Sequence, residues 1–469
     1  MKMILGGRFI DRDEKIPVLN PEDDSLIDYV PSATVEDVEN AFKIAEEGAK
    51  EMERLSSYER YRILRDVSAF VEENLEDFAK TIALEGIKTI NEARKEAKRA
   101  ANTLMYAAEE AKRLQGEILH VDADFRSERR EGFWYREPVG IVLAITPYND
   151  PLNMVAHKLS PAIAAGNAVV LKPTYLTPLS AIKLGQAFLE AGLPEKALSI
   201  LTGKSSIIGD ALVTDPRPRV ITFTGGVEAG LEISRRAGLK KLMMELGSSS
   251  AVIVDFETDI ERAASLTADG SFYAAGQNCI GVQRVYIHRK IYDQFVPLMI
   301  EATRKIKVGP KLKEDTTMGP MITSEEASRV ESWINEAIDA GGKLLIGGER
   351  KGNYIMPTII ENPPSHTKLA SEEVFGPVVC LFKYDDIDEA IEKANSSKYG
   401  LHAAIFTENI HKAMKAIKGL KFGGVMVNDS TDFRVDYMPF GGYKYSGLNR
   451  EGLRFAIDVM TEIKTVIIS

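Results

Sequence analysis

The sequence predicts an α/β protein in which parallel sheets are covered by helices on both faces. Three observations carry this expectation. From residue 139 onward, short β-rich apolar runs alternate with helical periodicity, which is how βαβ units read. Ahead of that alternation, residues 35–115 read as helices with only short breaks. At 469 residues the chain is also too long for one compact core, so two or three domains are expected.

Helical spacing opens with Val38, Ala41, Phe42 and Ala45; Ser56 or Ser57 caps the next helix, and Glu85-Gly86 punctuates the set. Residues 116–135 alternate and are charge-rich, a β-like pattern. The first α/β series follows, with strands over 139–145 and 168–171 and helices over 152–165 and 178–191. Strands over 198–201, 220–223 and 251–254 continue it. A second series starts near 281–287 and runs through 377–382 and 424–427. The tail, 459–468, is β-branched and apolar at Thr465-Val-Ile-Ile. No domain needs the stretch at 116–135 or the tail, so both are expected as edges paired with another subunit.

Composition narrows the function. The net charge of −10 comes without an extended basic run, which argues against nucleic acid as a partner. The first ten residues carry no signal-peptide core and no apolar stretch reaches membrane-spanning length. The two cysteines, Cys279 and Cys380, fit a reducing compartment, and the six histidines form no metal-ligand spacing. The expectation is a cytoplasmic protein without a metal.

Cys279 follows an expected helix over 259–273 and lies just past Gly276, Gln277 and Asn278, in a loop where a thiol meets substrate. Glu245 lies 34 residues before it, among Leu242, Met243, Met244 and Leu246. Apolar surroundings raise a carboxyl pKa towards the range of a general base. Both residues also have plain readings: a lone cysteine is commonly an inert, buried hydrophobe, and a glutamate after Met-Met can simply end a strand.

A strand over 220–223 leads into Gly225-Gly226 and a helix from about 227 to 236, an arrangement that aims free N–H groups at an anion. The spacing of Gly225 and Gly230 is not that of a dinucleotide fingerprint, and a glycine turn between strand and helix needs no ligand. Thr202-Gly-Lys-Ser205 imitates the end of a P-loop, but Leu198 stands where its first glycine belongs. Lys172 ends a strand within reach of a ribose or phosphate, although most such lysines are merely solvated.

Read in order, the fragments resemble the aldehyde dehydrogenase superfamily along nearly the whole chain. They are Arg136-Glu-Pro-Val-Gly140, Thr146-Pro-Tyr-Asn149-Asp-Pro151, Lys172-Pro173, Phe223-Thr-Gly225, Met244-Glu-Leu-Gly247, Gly276-Gln-Asn-Cys279, Glu373-Val-Phe-Gly-Pro377, Asn428 and Pro439-Phe-Gly-Gly442. The resemblance implies a Rossmann-type cofactor domain over 1–116 and 137–247, an α/β catalytic domain over 248–453, and oligomerisation strands over 117–136 and 454–469. It further implies a homodimer or homotetramer.

It also implies roles. Cys279 would attack an aldehyde, Asn149 and the Cys279 N–H would hold the oxyanion, and Glu245 would activate water against the thioester. For the cofactor it implies Thr146, Pro147, Lys158, Lys172, Thr174, Tyr175, Gly225, Gly226, Gly230, Leu246, Glu373 and Phe375, with Lys158 towards the nicotinamide. For the substrate it implies Asp150, Asn153, His157, Asn278, Ile280, Arg434 and Phe440.

Departures from the family pattern sharpen this. Tyr175 stands where NAD-preferring members carry a ribose-binding glutamate, Gly226 replaces a serine, and Ser248 replaces a glycine. Without that carboxylate a 2′-phosphate is not repelled, which leans towards NADP over NAD. Asp150 and His157 stand where members acting on apolar aldehydes tend to have aromatics, Asn153 is polar too, and Arg434 falls in the loop that usually lines the substrate entrance. They favour a short hydroxylated or anionic aldehyde such as lactaldehyde, glyceraldehyde, its 3-phosphate or succinate semialdehyde. Alternatively, Asp150 and Arg434 pair with each other or face bulk water. Lactaldehyde and glyceraldehyde dehydrogenases are the most similar subgroup. Glu245 argues against transfer of the acyl group to CoA, and the presence of Cys279, Glu245 and Asn149 argues against a non-catalytic binding protein.

Overall fold

A computed structural model describes residues 1–127 and 130–469. Glu128 and Arg129, within the stretch expected as an oligomerisation strand, lie outside the described residues. The chain opens with an antiparallel pair, β1 (Met3–Leu5) and β2 (Arg8–Ile10), joined by Gly6 and Gly7 at φ 54° and 75°. A two-residue turn with both φ positive requires glycine-like freedom, and Gly-Gly supplies it. A second hairpin, Lys15–Leu19 with Leu26–Pro31, follows.

Four helices come next: α1 (Val35–Arg54), α2 (Ser57–Glu73), α3 (Leu75–Glu85) and α4 (Ile90–Ala111). Thr34, Ser56 and Thr89 each begin a reciprocal capping box with the acidic residue three positions on. That fixes where α1, α2 and α4 start.

The first sheet carries five parallel strands in the order Leu198–Ile200, Ala168–Lys172, Ile141–Ile145, Val220–Thr224, Lys241–Glu245. In chain order these are β3 (Ile141–Ile145), β4 (Ala168–Lys172), β5 (Leu198–Ile200), β6 (Val220–Thr224) and β7 (Lys241–Glu245). β1 extends the sheet antiparallel to β5, and the short strand Gly447–Leu448 closes the other edge against β7. Helix α5 (Asn153–Ala164) is buried on all sides, and α6 (Val227–Arg236) follows β6.

The second sheet contains the strand Ser250–Val254 at its interior, between Val282–His288 and His402–Phe406. The sequence pattern grouped 251–254 with the first series. A fully buried apolar strand does not reveal which sheet receives it, and here the chain crosses between sheets at 246–249. Helix α7 (Ile260–Phe272) covers this sheet and leads into the Cys279 loop.

A third sheet of three antiparallel strands joins Glu117–Leu119, Glu131–Pro138 and Thr461–Ile468. Residues 454–459, expected as part of a tail strand, instead form most of helix α8 (Leu453–Val459), with Leu453, Ala456 and Ile457 buried in the core of the first sheet. Their i, i+3, i+4 spacing makes an apolar helix face. Among the described residues no helix is long and apolar enough to cross a membrane.

Candidate active site

A cavity of about 1360 Å³ runs between the two sheets, and the loops at strand ends supply most of its wall. Ligand sites form at such strand ends in open α/β sheets. Cys279 reaches the cavity from a strained turn. After α7 ends at Phe272, Ala274 and Ala275 both sit at φ 52° and Gly276 at φ 66°. Left-handed backbone costs an L-residue about 1–2 kcal/mol, so the surroundings must hold two alanines there. Gln277, fully buried, ties the turn outward: its Oε1 accepts the Ile322 N–H at 3.0 Å and its Nε2 donates to the Pro320 carbonyl at 3.1 Å.

Burial pushes the Cys279 thiol up to about 12, with Arg434 acting in the opposite sense. The Cys279 N–H donates to no protein acceptor among the described residues. Asn149, in the turn between β3 and α5, lines the same cavity, and its amide likewise has no partner among the described residues. Glu245 ends β7 and lines the same cavity. Both of its carboxylate oxygens are buried without a hydrogen bond among the described residues. Burial first, and then the neighbouring Glu451, hold its pKa well above the ordinary carboxylate range.

Glu451 is the hub behind Glu245. It accepts hydrogen bonds from Lys158 Nζ at 2.5 Å and Arg434 Nη2 at 3.1 Å. Burial works upward on its pKa, but Lys158 and Arg434 outweigh it and keep the group ionised. Lys158 is thereby consumed in a fully buried pair and does not line the cavity, contrary to its expected place beside the nicotinamide.

The far end of the cavity offers groups that fit a dinucleotide. Gly225 and Gly226 lead into α6, whose first turn has no side-chain cap, and a Cβ on Gly226 would meet nothing. Uncapped N–H groups at a helix start favour a phosphate. The Thr146 hydroxyl is buried without a partner among the described residues. Lys172, lowered to about 8 by burial, donates among the described residues only to the adjoining Pro173 carbonyl, at 3.4 Å. Pro147, Thr174, Tyr175 and Leu246 share this wall, and Lys204 lies 5.9 Å from the Tyr175 ring. Nearer Cys279, Glu373 accepts the Ser248 N–H at 2.8 Å with its carboxyl raised to about 7 by burial. Phe375, at φ 46°, meets the Tyr148 ring edge-on at 5.8 Å. Gly230 does not line the cavity; a Cβ there would strike the Leu246 side chain, so this glycine lets α6 approach Leu246 closely.

Of the expected substrate groups, Asp150, Asn278, Ile280, Arg434 and Phe440 line the cavity. Asn278 Oδ1 accepts the Ile280 N–H at 3.2 Å, shaping the loop around Cys279. Asn153 and His157 do not line it. They are buried on α5 and both meet Asp436, at 3.1 Å and 3.0 Å; an all-round buried helix turns polar residues towards partners rather than a ligand. Asp150 and Arg434 do not pair with each other: Asp150 pairs with the buried Lys88, and Arg434 with Glu451. Sequence reasoning missed Lys95 and Arg99 of α4, which line the substrate end. Their four-residue spacing marks one helix face, but charged helix faces are usually solvated. Among the described residues no cluster of His, Cys, Asp and Glu could hold a metal ion.

The chain matches the aldehyde dehydrogenase family over residues 9–466. The 3-sulfolactaldehyde dehydrogenase of Priestia aryabhattai is 44% identical over 467 residues, covering 100% of this chain and 98% of the relative. The lactaldehyde dehydrogenase of Methanococcus aeolicus is 39% identical, covering 100% of both. Among solved structures, the glyceraldehyde-3-phosphate dehydrogenase of Methanocaldococcus jannaschii complexed with NADP superposes with a TM-score of 0.94 at 39% identity, covering 98% of this chain and 100% of that one. The resemblance carried by the motifs therefore holds over the full fold. The chain belongs to the aldehyde dehydrogenase family, enzymes that oxidise aldehydes with NAD or NADP.

Proposed function

We propose that this enzyme oxidises a small polar aldehyde bearing an acid group or hydroxyls to its carboxylic acid, through a thioester on Cys279. The observation that carries the reading is the convergence on one cavity of three groups unpaired among the described residues: the Asn149 amide, the Cys279 N–H and the Glu245 carboxyl. The Cys279 thiol gives its proton to water and the sulfur attacks the aldehyde carbon as thiolate; the C=O pair moves to oxygen, which receives the Asn149 amide and the Cys279 N–H. Thr146, Lys172, Gly225, Gly226, Glu373 and Phe375 would hold the nucleotide, whose nicotinamide would supply the hydride acceptor for passage from thiohemiacetal to thioester. Glu245 then takes a proton from water as the water adds to the thioester carbon, and the thiolate leaves. A carboxyl whose pKa burial holds above its usual range is a stronger base than a solvated one.

Arg434 supports an acid group on the substrate. Its Nε is buried with no partner among the described residues, while Nη2 is held by Glu451. A guanidinium edge left open suits a carboxylate, sulfonate or phosphate. Arg99, bound to Asp436 at 2.7 Å and 3.2 Å, and Lys95 add positive charge at the same end. Pairing with Lys88 offsets the negative charge of Asp150. Relatives named for 3-sulfolactaldehyde and glyceraldehyde 3-phosphate agree with this chemistry, and the one named for lactaldehyde agrees with a short hydroxylated chain.

NADP is the proposed nucleotide, because Lys172 and the absence of a carboxylate at Tyr175 favour a 2′-phosphate. The proposed assembly is a homodimer or homotetramer in the cytoplasm, joined through the three-stranded sheet, where Ile118, Ile463 and Ile467 are exposed. Initial rates with lactaldehyde, glyceraldehyde, glyceraldehyde 3-phosphate, 3-sulfolactaldehyde and succinate semialdehyde, each with NAD and NADP, test the reading. A preference for long-chain or aromatic aldehydes would refute it.

A further inference from the structure

The two turns that carry Cys279 and Asn149 belong to different sheets, yet both are gripped by one face of α4. Glu92, in its first turn, divides its carboxylate between two tasks. Oε2 accepts the Thr89 N–H at 2.8 Å and its hydroxyl at 3.0 Å, closing the helix cap; Oε1 accepts the Ala274 N–H at 2.9 Å. Ala274 is the first of the three consecutive left-handed residues that lead to Cys279. Four residues on, Glu96 does the same for the other turn. Its Oε1 accepts the Leu152 and Asn153 N–H groups at 2.8 Å and 3.0 Å, just beyond Asn149, and its Oε2 accepts from Lys88, which also pairs with Asp150. Residues four apart lie on one helix face. Both carboxylates are buried, so these bonds are made without competition from solvent.

We propose that α4 is the common positioning element for the nucleophile and the oxyanion donor, with Glu92 the positioning residue that holds the Ala274–Gly276 turn left-handed and so sets where Cys279 stands. The proposal rests on the reading of Cys279 as nucleophile. Without the Glu92 bond, two alanines have every reason to relax to negative φ, and the sulfur four residues beyond Ala275 moves with them. Glycine occupies left-handed backbone at no steric cost, so glycines at 274 and 275 should keep the turn in place without the clamp.

The test uses the full-length enzyme, with kcat, NADP affinity and the rate of Cys279 alkylation by iodoacetamide as readouts. Glu92→Ala is expected to lower kcat and alkylation roughly 10- to 100-fold, as for a displaced reacting group, with NADP affinity within about threefold of the parent because α6 and Lys172 are untouched. Adding Ala274→Gly and Ala275→Gly to Glu92→Ala should restore most of both rates; a loss of fold stability alone would not be repaired at the sulfur. Glu92→Gln has one acceptor oxygen for three donors and provides the milder variant, expected to slow alkylation about tenfold. Parental kcat and alkylation in folded Glu92→Ala or Glu92→Gln, or a loss that the glycines leave unchanged, overturns the proposal. Cys279→Ala serves as the control: if it still turns over, the nucleophile reading itself fails, whatever Glu92 does.

Discussion

Arg434 stacks on Phe440, its guanidinium carbon 3.7 Å from the ring centre. With one face on the ring and Nη2 held by Glu451, the cation is fixed in place, and its buried Nε has no partner among the described residues. A stacked, forked donor of this kind is not replaced by lysine.

Arg434→Lys should therefore raise KM for an acidic aldehyde such as succinate semialdehyde by about tenfold or more, the value of one charge-assisted hydrogen bond in a dry site. KM for a neutral aldehyde of similar length should stay within about threefold. Steady-state kinetics on the two substrates decide it, and equal effects on both would remove Arg434 from acid recognition.

Nucleotide preference should depend on pH through Lys172. Burial lowers its pKa to about 8, so the charge is present below that pH and is lost as pH rises through it. Affinity for NADP relative to NAD should accordingly fall between pH 7 and pH 9. Fluorescence titration of both nucleotides across that range measures the ratio, and a constant ratio would place the 2′-phosphate elsewhere.

Lys158→Met should destabilise the enzyme by about 3–5 kcal/mol at pH 7, the cost of stranding one partner of a buried pair. Against the upward pull of burial, Lys158 and Arg434 hold the Glu451 pKa below its unfolded value. Their stabilisation is thus complete above the ordinary carboxylate range and fades as pH falls below it. The gap in urea midpoint between Lys158→Met and the parent should hold above about pH 5 and narrow as pH falls below about 4. A gap that does not change towards acid would mean that the Lys158–Glu451 charge pair is absent at neutral pH.

The parts of this site that can be read from the chain are those whose chemistry is confined to a few adjoining residues. Cys279 after Gly276-Gln-Asn, Glu245 after two methionines and Asn149 in a Pro-Tyr-Asn turn each pair a reactive group with the backbone that presents it, and all three line the cavity. The supports of those groups are not adjacent to them. Glu92 and Glu96 lie 182 and 56 residues from the N–H groups they accept, at Ala274 and Leu152, and in sequence they look like the wet face of an amphipathic helix. Asn153 and His157 mislead in the opposite direction. They follow Asn149 closely, but α5 is buried all round, and Asp436, far along the chain, takes both side chains. The opening hairpin escaped notice because three-residue strands carry almost no periodicity, although Gly6-Gly7 marks its turn.

Deacylation is where the central claim is most exposed. Glu245→Gln, mixed rapidly with NADP and a reactive aldehyde, should release about one reduced nucleotide per active site and then nearly stop. Peptide mass spectrometry of the quenched protein should find the acyl group on Cys279. Undiminished steady turnover in Glu245→Gln, or an acyl group found on Cys380 or on no cysteine at all, would contradict the account.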